Sequence, residues 1–327
     1  MLDQSPIRKG ADAEQAVQET IALAKHTDTL GYTRFWVSEH HNTGSLAGST
    51  PEVLIAHLAG QTQNIRVGSG GIMMPNHSTL KVAENFRMLE ALFPGRIDLG
   101  MGRAPGTDRI TASILNPSNH FKEQDFVEQL TDLQNYFHDR GEPGTVQARI
   151  RAIPQVKTVP AMWLLSSSGQ SGLFAAHFGM GFSFAHFINP VGGAQNVAMY
   201  KERFQPSEDM QTPEANMAIF VFCSEDEEKV MRQKAVMDHR FLQFERGSAI
   251  TPIGYEDVKN ETYTLAEQDR IRYNRQRVVT GTPEKVKARL TQLAADYGVD
   301  EIVAVTICED FGDRLESYRL LAEMFEL

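Results

Sequence analysis

Two rhythms of apolar residues alternate along the chain. Short apolar runs of strand length give way to longer stretches in which apolar residues recur at helical spacing. Val17, Ile21, Ala24 and Leu30 predict a helix over 12–30, stopped by Gly31. Residues 34–38 read as a buried strand. Ser49, Thr50, Pro51 and Glu52 match a capping box with an early proline, opening a helix to about 62. A strand over 65–68 follows, then a helix from 78 with Val82, Phe86, Leu89 and Leu92 on one side, then a strand over 96–101. Phe126, Leu130, Leu133 and Phe137 mark a helix over 123–138. A small hairpin is expected at 146–153. Strands over 162–165, 181–184 and 217–223 alternate with helices over 173–178 and 193–204. Ser224 and Glu227 suggest a second capping box and a helix to about 244. Residues 247–276 break the pattern and read as a long surface loop with room for one helical turn, of the kind that forms a lid. A helix over 282–298, a strand over 301–306 and a helix over 311–325 follow. Residues 1–4 read as the stub of a strand, and 278–279 as a candidate extra one.

Eight strand candidates alternating with helices predict an α/β fold, a (β/α)8 TIM-type barrel with a long insertion after the seventh strand. All of 1–327 is expected to form this one domain. A doubly wound open sheet is the second fold considered. The formal net charge of −10 argues against sequence-independent nucleic-acid binding, which needs a basic surface. No apolar run is long enough to span a bilayer, and no signal-peptide pattern is present, so neither membrane nor export is expected. The two cysteines, Cys223 and Cys308, lie far apart and fit free thiols in a reducing cytoplasm.

Barrel chemistry sits where the strands end. The first such place is the abrupt change from Phe35-Trp36-Val37 to Glu39-His40-His41, which puts titratable groups at a strand mouth. A solvated loop with a capping glutamate is the alternative. Arg103 follows another strand, where a guanidinium suits a phosphate and a plain surface arginine is equally natural. Residues 167–171 precede a helix, so their amides and hydroxyls suit either an anion or ordinary capping. Gly70-Gly71 lets a flat ligand approach the backbone, or forms a bulge. Met73, Met74, Phe184 and Phe187 fit a pocket lining or plain core. His40 and His41 point opposite ways if the backbone is extended, which makes them poor joint metal ligands, and no metal site stands out.

With these segments in place, the chain resembles the bacterial luciferase-like, flavin-dependent monooxygenases, single-chain oxidoreductases similar to the luciferase alpha subunit. The matching stretches are 2–7, 36–41, 51–60, 67–75, 95–107, 174–179 and 281–286. The resemblance implies the barrel reached above and reduced FMN as a co-substrate, supplied by a separate flavin reductase. It also implies O2 as oxidant, a small organic substrate such as an aldehyde, and a homodimer. Carried over by motif, His40 is the catalytic histidine. Gly70 and Gly71 lie beneath the flavin ring, joined by a non-prolyl cis peptide. Arg103, Ser168 and Ser171 contact the phosphate, with Ser167 and Gly169 beside them. His41, Met74 and His186 fall in the substrate pocket, and 247–276 matches the luciferase mobile loop. Gly102 stands where the luciferase alpha subunit can carry a reactive cysteine, and a second phosphate-binding arginine has no match beyond nearby Lys122. Two other functions fit the same scaffold: a deazaflavin-dependent hydride-transfer oxidoreductase, and a non-catalytic flavin-binding protein.

Overall fold

The apolar runs become nine strands of one parallel sheet in the computed structural model, which describes residues 1–118, 122–141, 143–145, 147–247 and 251–327. They are β1 (Leu2–Asp3), β2 (Arg34–Val37), β3 (Arg66–Met73), β4 (Ile97–Gly102), β5 (Ala161–Ser166), β6 (Gly181–Ala185), β7 (Ala215–Cys223), β8 (Val278–Gly281) and β9 (Glu301–Val305). β1 to β7 pair in chain order, which is barrel order and excludes the doubly wound sheet. The long β7 pairs with β6 on one edge and carries two partners on the other. Its first half pairs with β9, from Asn216↔Glu301 to Phe220↔Val305, and its last residues pair with β8, from Phe220↔Val278 to Cys223↔Gly281. So β9 takes the eighth barrel position and β8 is the extra strand.

Both faces of the strands are buried, as expected for a parallel sheet covered by helices. On β2, Phe35 and Val37 point outward into the core between sheet and helices, while Trp36 points inward. On β5, Met162 and Leu164 face outward and Trp163 inward. Inside, Leu2, Trp36, Trp163, Ala218, Val303 and Val305 form one cluster, which brings β1 and β9 together and curls the sheet. Trp36 and Trp163 meet edge to face with centroids 5.6 Å apart, a favoured aromatic arrangement. At the strand starts, Asp98 accepts from Arg34 at 2.8 Å and from the Trp36 indole at 2.9 Å, and pairs with Arg66 at 2.6 Å. These bonds satisfy a fully buried carboxylate and plug the end of the barrel opposite the site.

Several local expectations need correction. β3 does not stop at 68 but runs through both glycines to Met73. Arg109–Leu115 is a helix that no apolar stripe announced. Thr50 caps nothing with its side chain, and Glu52 instead accepts from Asn85. Asp226, not Ser224, caps the helix Glu227–Glu245, accepting from the amides of Glu228 and Lys229. Leu92 lies exposed rather than on the packed side of its helix. Residues 147–153 contain a 3-10 turn, Gln147–Arg149, and no strand, while position 146 of the expected hairpin lies outside the described residues. The stretch 247–276 is more ordered than a loop. Tyr255–Val258 and Leu265–Asn274 are helices, the second held by Arg270 to Glu245 and followed by Arg275 paired to Asp238, both at 2.7 Å. Residues 248–250 of that stretch lie outside the described residues.

Candidate active site

β2 ends at Val37, and the next carboxylate organises the rim. Glu39 is fully buried and accepts from the Met73 amide at 2.7 Å, His41 Nε2 at 2.9 Å, His77 Nε2 at 2.9 Å and Asn76 Nδ2 at 3.2 Å. Asn76 also donates to the Pro105 carbonyl at 2.8 Å. One side chain therefore ties the exits of β2 and β3 together and reaches that of β4. Burial works against the charge on Glu39, but the His77 and His41 bonds and the Met73 amide outweigh it and hold the carboxyl below its ordinary value. For His77 burial also opposes charge, yet the bond to Glu39 wins and raises its pKa above 6.5.

This pair fixes a pH dependence. The raised His77 contributes stability that is fully present below its unfolded pKa of 6.5 and is lost as pH rises through the folded value. The depressed Glu39 contributes stability present above 4.5 and lost as pH falls through its folded value. In urea unfolding at a series of pH values, the stability advantage of the parent over His77→Gln should be greatest between 4.5 and 6.5. It should shrink above that window; an advantage that grows with pH contradicts the ion pair.

His40 does not join this cluster, so neither Glu39 nor His41 orients it. Its Nδ1 lies 3.4 Å from the Gly106 carbonyl, which can only accept, so the proton sits on Nδ1. Nε2 is left with its lone pair, 3.4 Å from the Gln4 amide. Desolvation lowers its pKa and outweighs the Gly106 bond, so the ring is neutral at pH 7.

Two cavities open at this rim. The first, about 300 Å3, is lined by Leu2, Trp36, Gly70, Gly71, Leu165 and Val303 below and by Arg103, Ser167, Ser168 and Ser171 at its edge. A Cβ on Gly71 would lie 2.6 Å from the Gly100 carbonyl oxygen and 2.8 Å from Leu165, and one on Gly70 would lie 2.8 Å from Leu2. Bare backbone therefore forms part of the wall, and the peptide between the two glycines is cis. The helix Gly169–Phe178 starts at the cavity edge with Ser168 as its first flanking residue; the Ser168 side chain does not cap it, and the Ser168 amide donates to Ser166 Oγ at 3.1 Å. Gly169 sits against Asn196, where a Cβ would be 2.5 Å from Oδ1. Arg103 lies across from the helix start. It donates to Gln170 and is 3.9 Å from Glu123, so among the described residues its charge meets one neutral partner and one distant carboxylate. Uncapped amides, a serine loop and a weakly paired guanidinium beside a glycine-walled apolar slot fit a flat ring bearing a phosphate.

The second cavity, about 660 Å3 and mostly apolar, is lined by Gln4, His40, His41 and the helix Glu227–Glu245. Phe187 and Ile188 line both cavities and stand between them. His41 thus shares a cavity with His40, because residues 39–41 are not extended strand.

Two expected pocket residues lie elsewhere. The register of β3 shifts between Gly70 and Ile72, so Met73 lines the first cavity and Met74 packs into the outer core. His186 is buried away from both cavities. Its Nε2 donates to the Gln276 carbonyl at 2.8 Å and Nδ1 accepts from Tyr297 Oη at 2.6 Å, which pins the insertion to β6. The pairing of Asn76 and His77 with Glu39 and the wall from the helix Glu227–Glu245 were not anticipated. Among the described residues, no group of His, Cys, Asp and Glu is placed to hold a metal ion.

The sequence model for the luciferase-like monooxygenases matches residues 1–301. The chain is 49% identical to the uncharacterized protein YwcH of Bacillus subtilis (strain 168), over 99% of this chain and 98% of that protein. It is 34% identical to the N-acetyl-S-alkylcysteine monooxygenase of the same strain, over 99% and 96%. A crystal structure of apo-MsnO8 shares the fold at a TM-score of 0.85 and 33% identity, covering 100% of this chain and 98% of that one.

Proposed function

The chain belongs to the luciferase-like monooxygenase family, and on that premise we propose that it uses reduced FMN and molecular oxygen to oxidise a small organic molecule. The observation that carries the reading is the edge of the first cavity, where Arg103 faces the uncapped start of the helix Gly169–Phe178. There the phosphate would take a charge-assisted bond from Arg103 and bonds from the 169–171 amides and the Ser168 and Ser171 hydroxyls. The ring would lie along Gly70-Gly71, and Trp36, Leu165 and Val303 would keep water from it. Reduced flavin, when bound, supplies the electrons and the place where oxygen is activated. His40 holds Nε2 unprotonated at the mouth of the neighbouring cavity, where it takes a proton from the substrate side and returns it. A separate reductase supplies the flavin, and the protein works as a cytoplasmic homodimer.

The test is isotopic. Protein, reduced FMN and 18O2 are incubated with panels of alkyl aldehydes and alkyl thioethers, and products are weighed by mass spectrometry. One 18O atom in a product is the expected result. Turnover of a reduced or oxidised deazaflavin without oxygen, and no labelled product, would replace the reading with hydride transfer. Separately, Arg103→Ala should weaken reduced FMN by roughly 10- to 100-fold, the worth of a charge-assisted bond. Reduced riboflavin, which lacks the phosphate, should be hardly affected. Equal weakening of both removes Arg103 from the phosphate site.

A further inference from the structure

The helix Glu227–Glu245 presents Met237, Arg240, Phe241 and Phe244 to the second cavity, at the i, i+3, i+4, i+7 spacing of one helix face. Three of the four are what an apolar wall requires. The fourth is a guanidinium. Among the described residues, no hydrogen bond or ion pair ends on Arg240. The other arginine in this wall is fully engaged: Arg277 donates to the Phe187 carbonyl at 2.7 Å and to Asn274 at 3.3 Å, pairs with Glu245 at 3.6 Å, and lies 4.3 Å over the Phe241 ring. Nor does the cavity supply Arg240 with a counter-charge. Asp108 lines it, but its oxygens accept from Asn42, Thr111 and the amides of Ile110 and Thr111. The acidic group that Arg240 feels, the Cys308 thiol, is kept neutral because burial pushes its pKa up to about 12. Burial also disfavours the charge on Arg240 itself. A cation with no partner among the described residues, set in an apolar cavity, is costly to fold, and an anion that binds there offsets the cost.

We infer that the second cavity takes an organic anion, an acid head on Arg240 and an apolar body along Met237, Phe241 and Phe244. The guanidinium fork matches the two oxygens of a carboxylate or the three of a sulfonate. The body then lies in the cavity that His40 and the Phe187–Ile188 partition also line, so the charge sets which molecules are held there. What happens to that molecule rests on the monooxygenase reading; its binding does not.

The experiment uses the purified protein without flavin and calorimetric titration with octanoate, octane-1-sulfonate and 1-octanol. The parent should bind at least one of the two anions about 10-fold or more tightly than the alcohol, and the better anion identifies the head group. Arg240→Met, which keeps the length and loses the charge, should bind all three alike. Arg240→Lys should recover part of the preference. No anion preference in the parent, or a preference that survives in Arg240→Met, overturns the inference. A parent that prefers the anion yet fails to bind reduced FMN leaves this inference standing and removes the flavin reading instead.

Discussion

Replacing His40 with alanine is expected to leave reduced-FMN affinity near the parent value and to lower product formation by about 10²-fold or more, the usual scale for losing a general acid–base group. The separation of the two effects follows from position. Arg103 and the 168–171 start lie on the exits of β4 and β5, and His40 contacts neither. It lines the other cavity, with Nε2 unprotonated and Nδ1 turned to Gly106. His41→Ala should cost less turnover, because His41 Nε2 is already occupied by Glu39 at 2.9 Å. Steady-state turnover and flavin titration on both variants check this. A His40→Ala enzyme that turns over like the parent, or a His41→Ala enzyme damaged more severely, contradicts the assignment.

Glu39→Ala is expected to be the most destabilising single change at the rim, by about 3–5 kcal/mol, the range for removing one partner of a buried charged pair. The carboxylate has no exposure, and its loss leaves the Met73 amide and the His41 and His77 Nε2 atoms without this acceptor and Asn76 Nδ2 with the Pro105 carbonyl alone. Three strand exits lose their common anchor at once. The measurement is the urea unfolding midpoint with the slope unchanged. A loss below about 1 kcal/mol, the worth of an ordinary surface pair, would mean that water or neighbours readily replace the carboxylate.

The barrel was legible because buried parallel strands and covering helices each impose their own apolar period. Trp36 and Val37 could be read as strand, and the sudden charge at Glu39 marked its end. What eluded the sequence was which way side chains face. Met74 was placed in the substrate pocket, with Met73 open to pocket or core, because alternation does not reveal the register shift at Gly70 and Ile72. His186 looked exposed to the cavity because nothing local showed the tight turn in which the His186 amide bonds the Phe184 carbonyl at 3.0 Å, leaving Phe187 and Ile188 as the partition. The Glu39 cluster needed partners 37 and 38 residues away. The helix expected to about 244 gave no hint of a cavity, so the arginine at 240 carried no signal.

On the proposed reading, the glycine-walled slot and its charged edge hold a phosphate-bearing flavin. Anaerobic titration of the parent protein with reduced FMN, and separately with reduced riboflavin, tests it most directly. One saturable FMN site is expected, with riboflavin binding weaker by roughly 10-fold or more, the value of the phosphate contacts. Equal affinity for the two flavins, or binding of neither, would contradict it.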